Sequence, residues 1–304
     1  MKENEEHMKV VRSRHAGACY GVERALSLVD EAAANARSEQ GDTEPVHTLG
    51  PLIHNPQVVS ELKEQGVEVA ATVDEVKSGI LVIRSHGVVP SLIEDAQDKG
   101  LRVFDATCPH VSKTHAAARE LRESGHLVVI VGEPGHPEVE GIQAYAGDDA
   151  LVAQSADDLP AELARDKVGV VAQTTQAKET LDAVVAALRE RGIEPLVRNT
   201  ICFATKQRQE TARELAEQAD VMLVVGGRNS GNTTRLAEIC APVCPRTYHV
   251  ESPDELDPTW FEGAETVGIT AGASTPENQI IAVEKALLAH GKQRPILEAG
   301  DEDA

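Results

Sequence analysis

His126-Leu-Val-Val-Ile-Val131, running on to Gly135-His136-Pro137-Glu138, is the stretch on which the fold turns. An almost unbroken aliphatic, β-branched run closed by a Gly- and Pro-punctuated polar loop describes a strand buried on both faces. The device recurs along the chain. Val46-His-Thr-Leu49 precedes Leu52-Ile-His54-Asn55-Pro56, and Val221-Met-Leu-Val-Val225 precedes Gly226-Gly-Arg-Asn-Ser-Gly-Asn232. A second set follows the first: Ile80-Leu-Val-Ile83 before Arg84-Ser-His86-Gly87, Val168-Gly-Val-Val171 before Gln173-Thr174-Thr175, and Thr266-Val-Gly-Ile269 before Thr270-Ala-Gly-Ala-Ser274. Helical segments follow at 91–99, 178–191 and 276–290, the last with Pro276 near its first turn, where helix starts favour it. Strands alternating with amphipathic helices predict an α/β fold of mainly parallel sheets with helices on both faces. In such sheets ligands bind beyond the carboxyl ends of the strands. The six loops occupy that position and carry His54, Asn55, His86, His136, Glu138, Thr174, Thr175, Asn229, Ser230, Asn232 and Ser274.

Three cysteines mark the period of the repeat. Cys19-Tyr-Gly-Val-Glu-Arg-Ala, Cys108-Pro-His-Val-Ser-Lys-Thr and Cys202-Phe-Ala-Thr-Lys-Gln-Arg are spaced by 89 and 94 residues, and each opens a predicted helix. Unpaired N–H groups and the helix dipole stabilise a thiolate at such a position. Three in matching contexts predict thiolates that converge on one metal centre, in three pseudo-equivalent domains bounded at 10–107, 108–201 and 202–290, with a tail at 291–304. Three thiolates without a fourth regular partner suit a [4Fe–4S] cluster with an open iron, or zinc completed by His or water. Local Cys-x-x-Cys spacing, usual in structural zinc sites, is absent. Cys240 and Cys244 lie outside the repeated context and read as small buried or loop residues.

Composition narrows the function further. The 304 residues carry a net charge of −21, which argues against general nucleic-acid binding and requires any anion site to be built locally. No apolar run approaches the roughly 18 residues that span a bilayer. The polar N-terminus shows no secretory signal, so a cytoplasmic location is expected. No apolar stripe is left over, which makes a monomer the default.

The loops read as an anion pocket. His, Ser, Thr and Asn donate hydrogen bonds to phosphate oxygens, and Gly-rich segments admit backbone N–H groups. His54, His86 and His136 stand at equivalent strand ends; the other histidines read as structural. Gly226-Gly-Arg-Asn-Ser-Gly does not fit Gly-x-Gly-x-x-Gly, so no dinucleotide site is expected. Glu138 is a carboxylate among neutral donors and a candidate proton relay; it also suits orienting His136 or capping the next helix.

Together Cys19-Tyr-Gly-Val-Glu-Arg-Ala, His54-Asn55, Ser85-His86-Gly87, Asp105-Ala-Thr-Cys108-Pro109, Gly135-His-Pro-Glu138, Gln173-Thr-Thr175, Thr200-Ile-Cys202 and Thr270-Ala-Gly-Ala-Ser274 resemble the 4-hydroxy-3-methylbut-2-enyl diphosphate reductase family. The resemblance runs from about residue 10 to about residue 290 in the family's order. It implies a trefoil of three α/β domains around a [4Fe–4S] cluster held by Cys19, Cys108 and Cys202. The substrate hydroxyl would bind the open iron and leave as water after two electrons and two protons, giving isopentenyl and dimethylallyl diphosphate. The resemblance also implies that His54, His86, His136, Ser230, Gly231, Asn232 and Ser274 line the diphosphate site. Thr174 or Thr175 would stand by the hydroxyl, Glu138 and His136 would serve the chemistry, and ferredoxin or flavodoxin would donate electrons. Two positions depart from the family: its Gly-Phe-Cys reads Gly17-Ala18-Cys19, and its Asn-Ser-Ser-Asn reads Asn229-Ser230-Gly231-Asn232. The alternatives are a reductase of another allylic diphosphate, a zinc hydrolase using the same cysteines, and a non-catalytic iron–sulfur sensor.

Overall fold

The computed structural model describes residues 8–36 and 43–289, and the backbone of 297–298. Thirteen strands are described in chain order: β1 (Lys9–Arg12), β2 (Val46–Leu49), β3 (Val67–Ala70), β4 (Ile80–Ile83), β5 (Arg102–Asp105), β6 (Leu127–Val131), β7 (Leu151–Ala153), β8 (Val168–Ala172), β9 (Leu196–Val197), β10 (Val221–Val225), β11 (Thr247–Val250), β12 (Thr266–Ala271) and β13 (Leu297–Glu298). The helices are α1 (Tyr20–Asn35), α2 (Pro56–Glu64), α3 (Pro90–Asp98), α4 (Pro109–Glu123), α5 (Pro137–Ala146), α6 (Lys178–Glu190), α7 (Phe203–Ala216), α8 (Gly231–Cys240) and α9 (Glu277–Ala289). The strands form three sheets, of order β3-β2-β4-β5, β7-β6-β8-β9 and β11-β10-β12-β1-β13. Every pairing is parallel.

The aliphatic runs sit in the centre of their sheets because both faces must be covered. All residues of β4, β6, β8 and β10 are buried. In the second sheet Val129, Val131, Val168 and Val170 pack on α6 residues Leu181, Val184 and Leu188. The alternate residues Val128, Ile130 and Val171 face Ala118 and Leu121 of α4 and Val139 and Ile142 of α5. The third sheet repeats this. Val221, Leu223 and Val225 pack with Ile280, Val283 and Leu287 of α9, while Met222 and Val224 face Ala212 of α7 and Leu236 of α8. Cys240 and Cys244 belong to that last layer. Their thiols donate to the carbonyls of Ala212 (3.6 Å) and Ala219 (3.4 Å). Burial pushes the Cys240 thiol up to about 12 and raises Cys244. Both are structural residues, as their sequence context indicates.

The sheets group the chain differently from the boundaries 10–107, 108–201 and 202–290 at one point. β1, read from the sequence as the start of the first domain, pairs with β12 in register Val10↔Val267. Arg12 at its end forks onto Glu284 of α9 (2.5 and 2.7 Å) and reaches Glu277 (2.6 Å). The described residues form two compact units, one of those up to Cys19 together with those from Phe203 onward, the other of those within Tyr20–Cys202. In each sheet the cysteine follows the strand beyond the third: β5 leads to Cys108, β9 to Cys202 and β1 to Cys19. The first strand therefore completes the last sheet. The tail at 291–304 lies outside the described residues except for β13. No described helix is long and apolar enough to cross a membrane.

Candidate active site

Each cysteine stands one residue before a helix, Cys108 as the N-cap of α4. All three are half-buried and free of disulfides. The backbone N–H of each donates to the loop after the third strand of its own sheet. Cys108 N–H donates to Ser85 O (2.9 Å), Cys202 N–H to Thr174 O (2.9 Å) and Cys19 N–H to Ala273 O (3.1 Å). The loops so gripped are those that carry His86, Thr174 and Ser274. Gly17 shapes the approach to Cys19. Its φ is +100°, and a Cβ there would meet Ile280 Cδ1 at 2.8 Å. Arg208 of α7 holds the same turn, its guanidinium donating to Gly17 O at 2.8 Å.

The loops after β2, β6 and β10 share a second device: each supplies the N-cap of the next helix. Asn55 Oδ1 accepts from the N–H groups of Gln57 and Val58 (3.1 Å each), capping α2. His136 Nδ1 accepts from Glu138 N–H (3.1 Å), capping α5. Ser230 Oγ accepts from Thr233 N–H (3.4 Å), capping α8. Helix N-termini present unpaired N–H groups and positive dipole ends, the elements of an anion site.

In the unit Tyr20–Cys202 the structure brings His54, His86 and His136 together. Their ring centroids lie 4.2, 5.1 and 5.6 Å apart. One ring nitrogen from each lies within 4.8 Å of the others. Burial lowers all three pKa values: His136 falls to about 4, His86 falls well below the ordinary histidine range, and His54 is lowered. Arg84 depresses each further by repulsion. The three imidazoles are therefore neutral near pH 7 and offer N–H donors without charge. Because Nδ1 of His136 accepts from the backbone, its proton belongs on Nε2.

Glu138, two residues after His136, is 2% exposed. Its carboxyl accepts from Thr174 N–H (2.6 Å) and bonds the Thr174 hydroxyl (2.9 Å). Burial pushes its pKa up to about 7, against the lowering effect of those two bonds. A carboxyl titrating there exchanges protons at neutral pH, the condition for general acid work. The two threonines separate: the Thr175 hydroxyl accepts from Gln173 Nε2 (3.2 Å) rather than bonding Glu138. Gln173 Oε1 in turn holds Glu133 N–H (3.0 Å).

In the other unit Ser230 and Ser274 are buried and bonded hydroxyl to hydroxyl (3.3 Å). Asn232 is 4% exposed, and neither its amide nitrogen nor its amide oxygen has a partner among the described residues. An unpaired buried amide costs about 1–3 kcal/mol. Gly231 is the first residue of α8 and supplies no hydroxyl.

Sequence reasoning passed over Arg84, although it heads the quoted Arg84-Ser-His86 strand end; a cation two residues before a candidate ligand was the available signal. His115, read as structural, stacks on Tyr145 with centroids 4.5 Å apart, and burial takes it down to about 4.

The chain matches the LytB protein family over residues 10–288. The chain belongs to the LytB protein family. Among its relatives, the 4-hydroxy-3-methylbut-2-enyl diphosphate reductase of Pelobacter propionicus is 50% identical over 270 residues, covering 89% of this chain and 94% of that one. The enzyme of the same name from Geobacter sulfurreducens is 47% identical over 270 residues, covering 89% and 93%. Among solved structures, (E)-4-hydroxy-3-methyl-but-2-enyl diphosphate reductase, the terminal enzyme of the non-mevalonate pathway, superposes with a TM-score of 0.68 at 43% identity, covering 93% of this chain and 99% of that one. The reductase from Plasmodium falciparum shares the fold, with a TM-score of 0.86 at 23% identity, covering 98% and 94%. Three parallel-sheet α/β units are the LytB architecture, as the repeat in the sequence indicates.

Proposed function

We propose that this LytB protein catalyses the reductive dehydration of 4-hydroxy-3-methylbut-2-enyl diphosphate. Two electrons and two protons convert the allylic alcohol into isopentenyl or dimethylallyl diphosphate and water. The observation that carries the chemistry is Glu138, buried, bonded to the Thr174 hydroxyl, with a pKa pushed up to about 7 and its N–H on His136. Family membership favours this reading over a zinc hydrolase or a sensor built on the same cysteines.

The residues fit a [4Fe–4S] cluster. Cys19, Cys108 and Cys202 are half-buried, outside any disulfide and each mounted at a helix head, and thiolate is the ligand such clusters take. Held by these three cysteines, the cluster would supply the electrons and Lewis-acid chemistry at the substrate hydroxyl. His54, His86 and His136 donate N–H bonds to the diphosphate, with Ser230, Asn232 and Ser274 as further donors. Gly231 contributes only backbone N–H at the head of α8. Thr174 orients its hydroxyl between Glu138 and the substrate. Glu138 then delivers a proton to the departing oxygen through Thr174, and the Thr174 N–H stabilises the carboxylate left behind. An electron donor is required, and a small redox protein such as ferredoxin or flavodoxin fits that need. We take the protein to act as a cytoplasmic monomer.

Anaerobic turnover of 4-hydroxy-3-methylbut-2-enyl diphosphate with a dithionite-reduced mediator, alongside metal analysis, tests the proposal. Iron and sulfide with robust turnover are expected. Stoichiometric zinc without iron would overturn it.

A further inference from the structure

The imidazole cluster lacks a standing charge of its own, yet its proposed ligand carries several negative charges and the chain has a net charge of −21. Arg84 supplies the missing cation. It lies at the end of β4, two residues before His86, and its Nε donates to Gly87 O at 3.4 Å. Its guanidinium occupies the space that a side chain at position 50 would fill: a Cβ on Gly50 would meet Arg84 Nη1 at 2.6 Å. Gly50 has φ +72°, the left-handed region that favours glycine. Both the space and the backbone at position 50 therefore suit the arginine. The guanidinium is partly buried, which makes its desolvation costly unless an anion repays it. No carboxylate among the described residues forms an ion pair with it, and Glu140 acts on it only through attraction at a distance. Repulsion from Arg84 is felt by His54, His86 and His136 alike.

We infer that Arg84 is a diphosphate-binding residue of this chain, its guanidinium, seated over Gly50 beside the three histidines, pairing with the anionic end of the substrate. The inference rests on the proposed diphosphate role of those histidines. Arg84 donates through a planar fork that matches two phosphate oxygens. The neutral imidazoles then fix orientation while the arginine supplies the charge.

Calorimetric titration of inorganic diphosphate into the cluster-loaded enzyme, held anaerobic, provides the test. Arg84→Gln is expected to weaken binding about 10- to 100-fold, the range for a lost hydrogen bond to a charged group. Arg84→Lys, which keeps the charge and loses the fork, is expected to fall between, and decides the matter if the glutamine variant does not fold. Iron content and cluster absorbance should match the unsubstituted protein in both. His86→Asn is the control for the underlying reading. If His86→Asn weakens diphosphate binding while the arginine variants bind within twofold of the unsubstituted protein, the role of Arg84 is wrong and the histidine site stands. If neither substitution affects binding, the diphosphate reading of the cluster fails as well.

Discussion

Glu138 and Asn232 hold the same place in two different sheets. Each lies two residues beyond the N-cap of the helix that follows a fully buried central strand: His136 caps α5 after β6, and Ser230 caps α8 after β10. Both are almost wholly buried, at 2% and 4% exposed. The carboxyl closes on an internal partner, the backbone and hydroxyl of Thr174. The amide closes on nothing the described residues provide. One backbone plan thus yields a titrating group in one unit and a neutral, open donor and acceptor in the other. On the proposed function the carboxyl suits proton handling and the amide suits neutral anchoring of the substrate.

Exchanging the properties of these two positions breaks the comparison most severely at Glu138. Glu138→Gln keeps the shape and removes the exchangeable proton, so the rate of anaerobic single turnover should fall about 10²- to 10⁴-fold, as loss of a positioned acid does. The cluster absorbance should persist.

At Asn232 the effect should appear in binding. Asn232→Ala removes two hydrogen-bonding atoms that meet no partner among the described residues, so KM should rise about 10- to 100-fold with a smaller change in kcat. A large fall in kcat with KM unchanged would place Asn232 with Glu138 rather than opposite it.

Gly231→Ser sharpens the comparison more gently. It adds a hydroxyl beside Ser230, at the first helical position, where serine is tolerated. Steady-state kinetics should show KM lowered by no more than about tenfold. Cys240→Ala touches neither half of the site. It removes a buried thiol from the layer between the third sheet and helices α7 and α8, and should cost about 1 kcal/mol in denaturant unfolding with turnover unchanged.

The architecture was legible wherever aliphatic runs were long enough to fill the centre of a sheet. Ile80–Ile83, Leu127–Val131 and Val221–Val225 announce burial on both faces, and each is central. The edge strands were not legible. β3 reads Val-Glu-Val-Ala and β5 reads Arg-Val-Phe-Asp, with exposed residues in each, because an edge strand need bury only part of its surface. The place of β1 was hidden for another reason: its four residues carry no mark of the partner strand, which lies more than two hundred and fifty residues later. At the candidate site, the strand-end position of the three histidines and Glu138 could be read from spacing. Which threonine faces Glu138 could not, since Thr174 and Thr175 differ only in where their side chains point. Arg84 escaped notice because its neighbour across the fold is Gly50, a contact that only packing shows.

The central claim is that a buried carboxyl with a pKa near 7 delivers the proton. The measurement that tests it most directly is the pH dependence of anaerobic single turnover for the unsubstituted protein, Asn232→Ala and Glu138→Gln. Glu138 is active when protonated, so its competent fraction falls as pH rises through its folded pKa. The unsubstituted protein and Asn232→Ala should both lose rate on an alkaline limb centred near pH 7, while Glu138→Gln should be slow and lack that limb. An unchanged rate and an unchanged limb in Glu138→Gln would contradict the account.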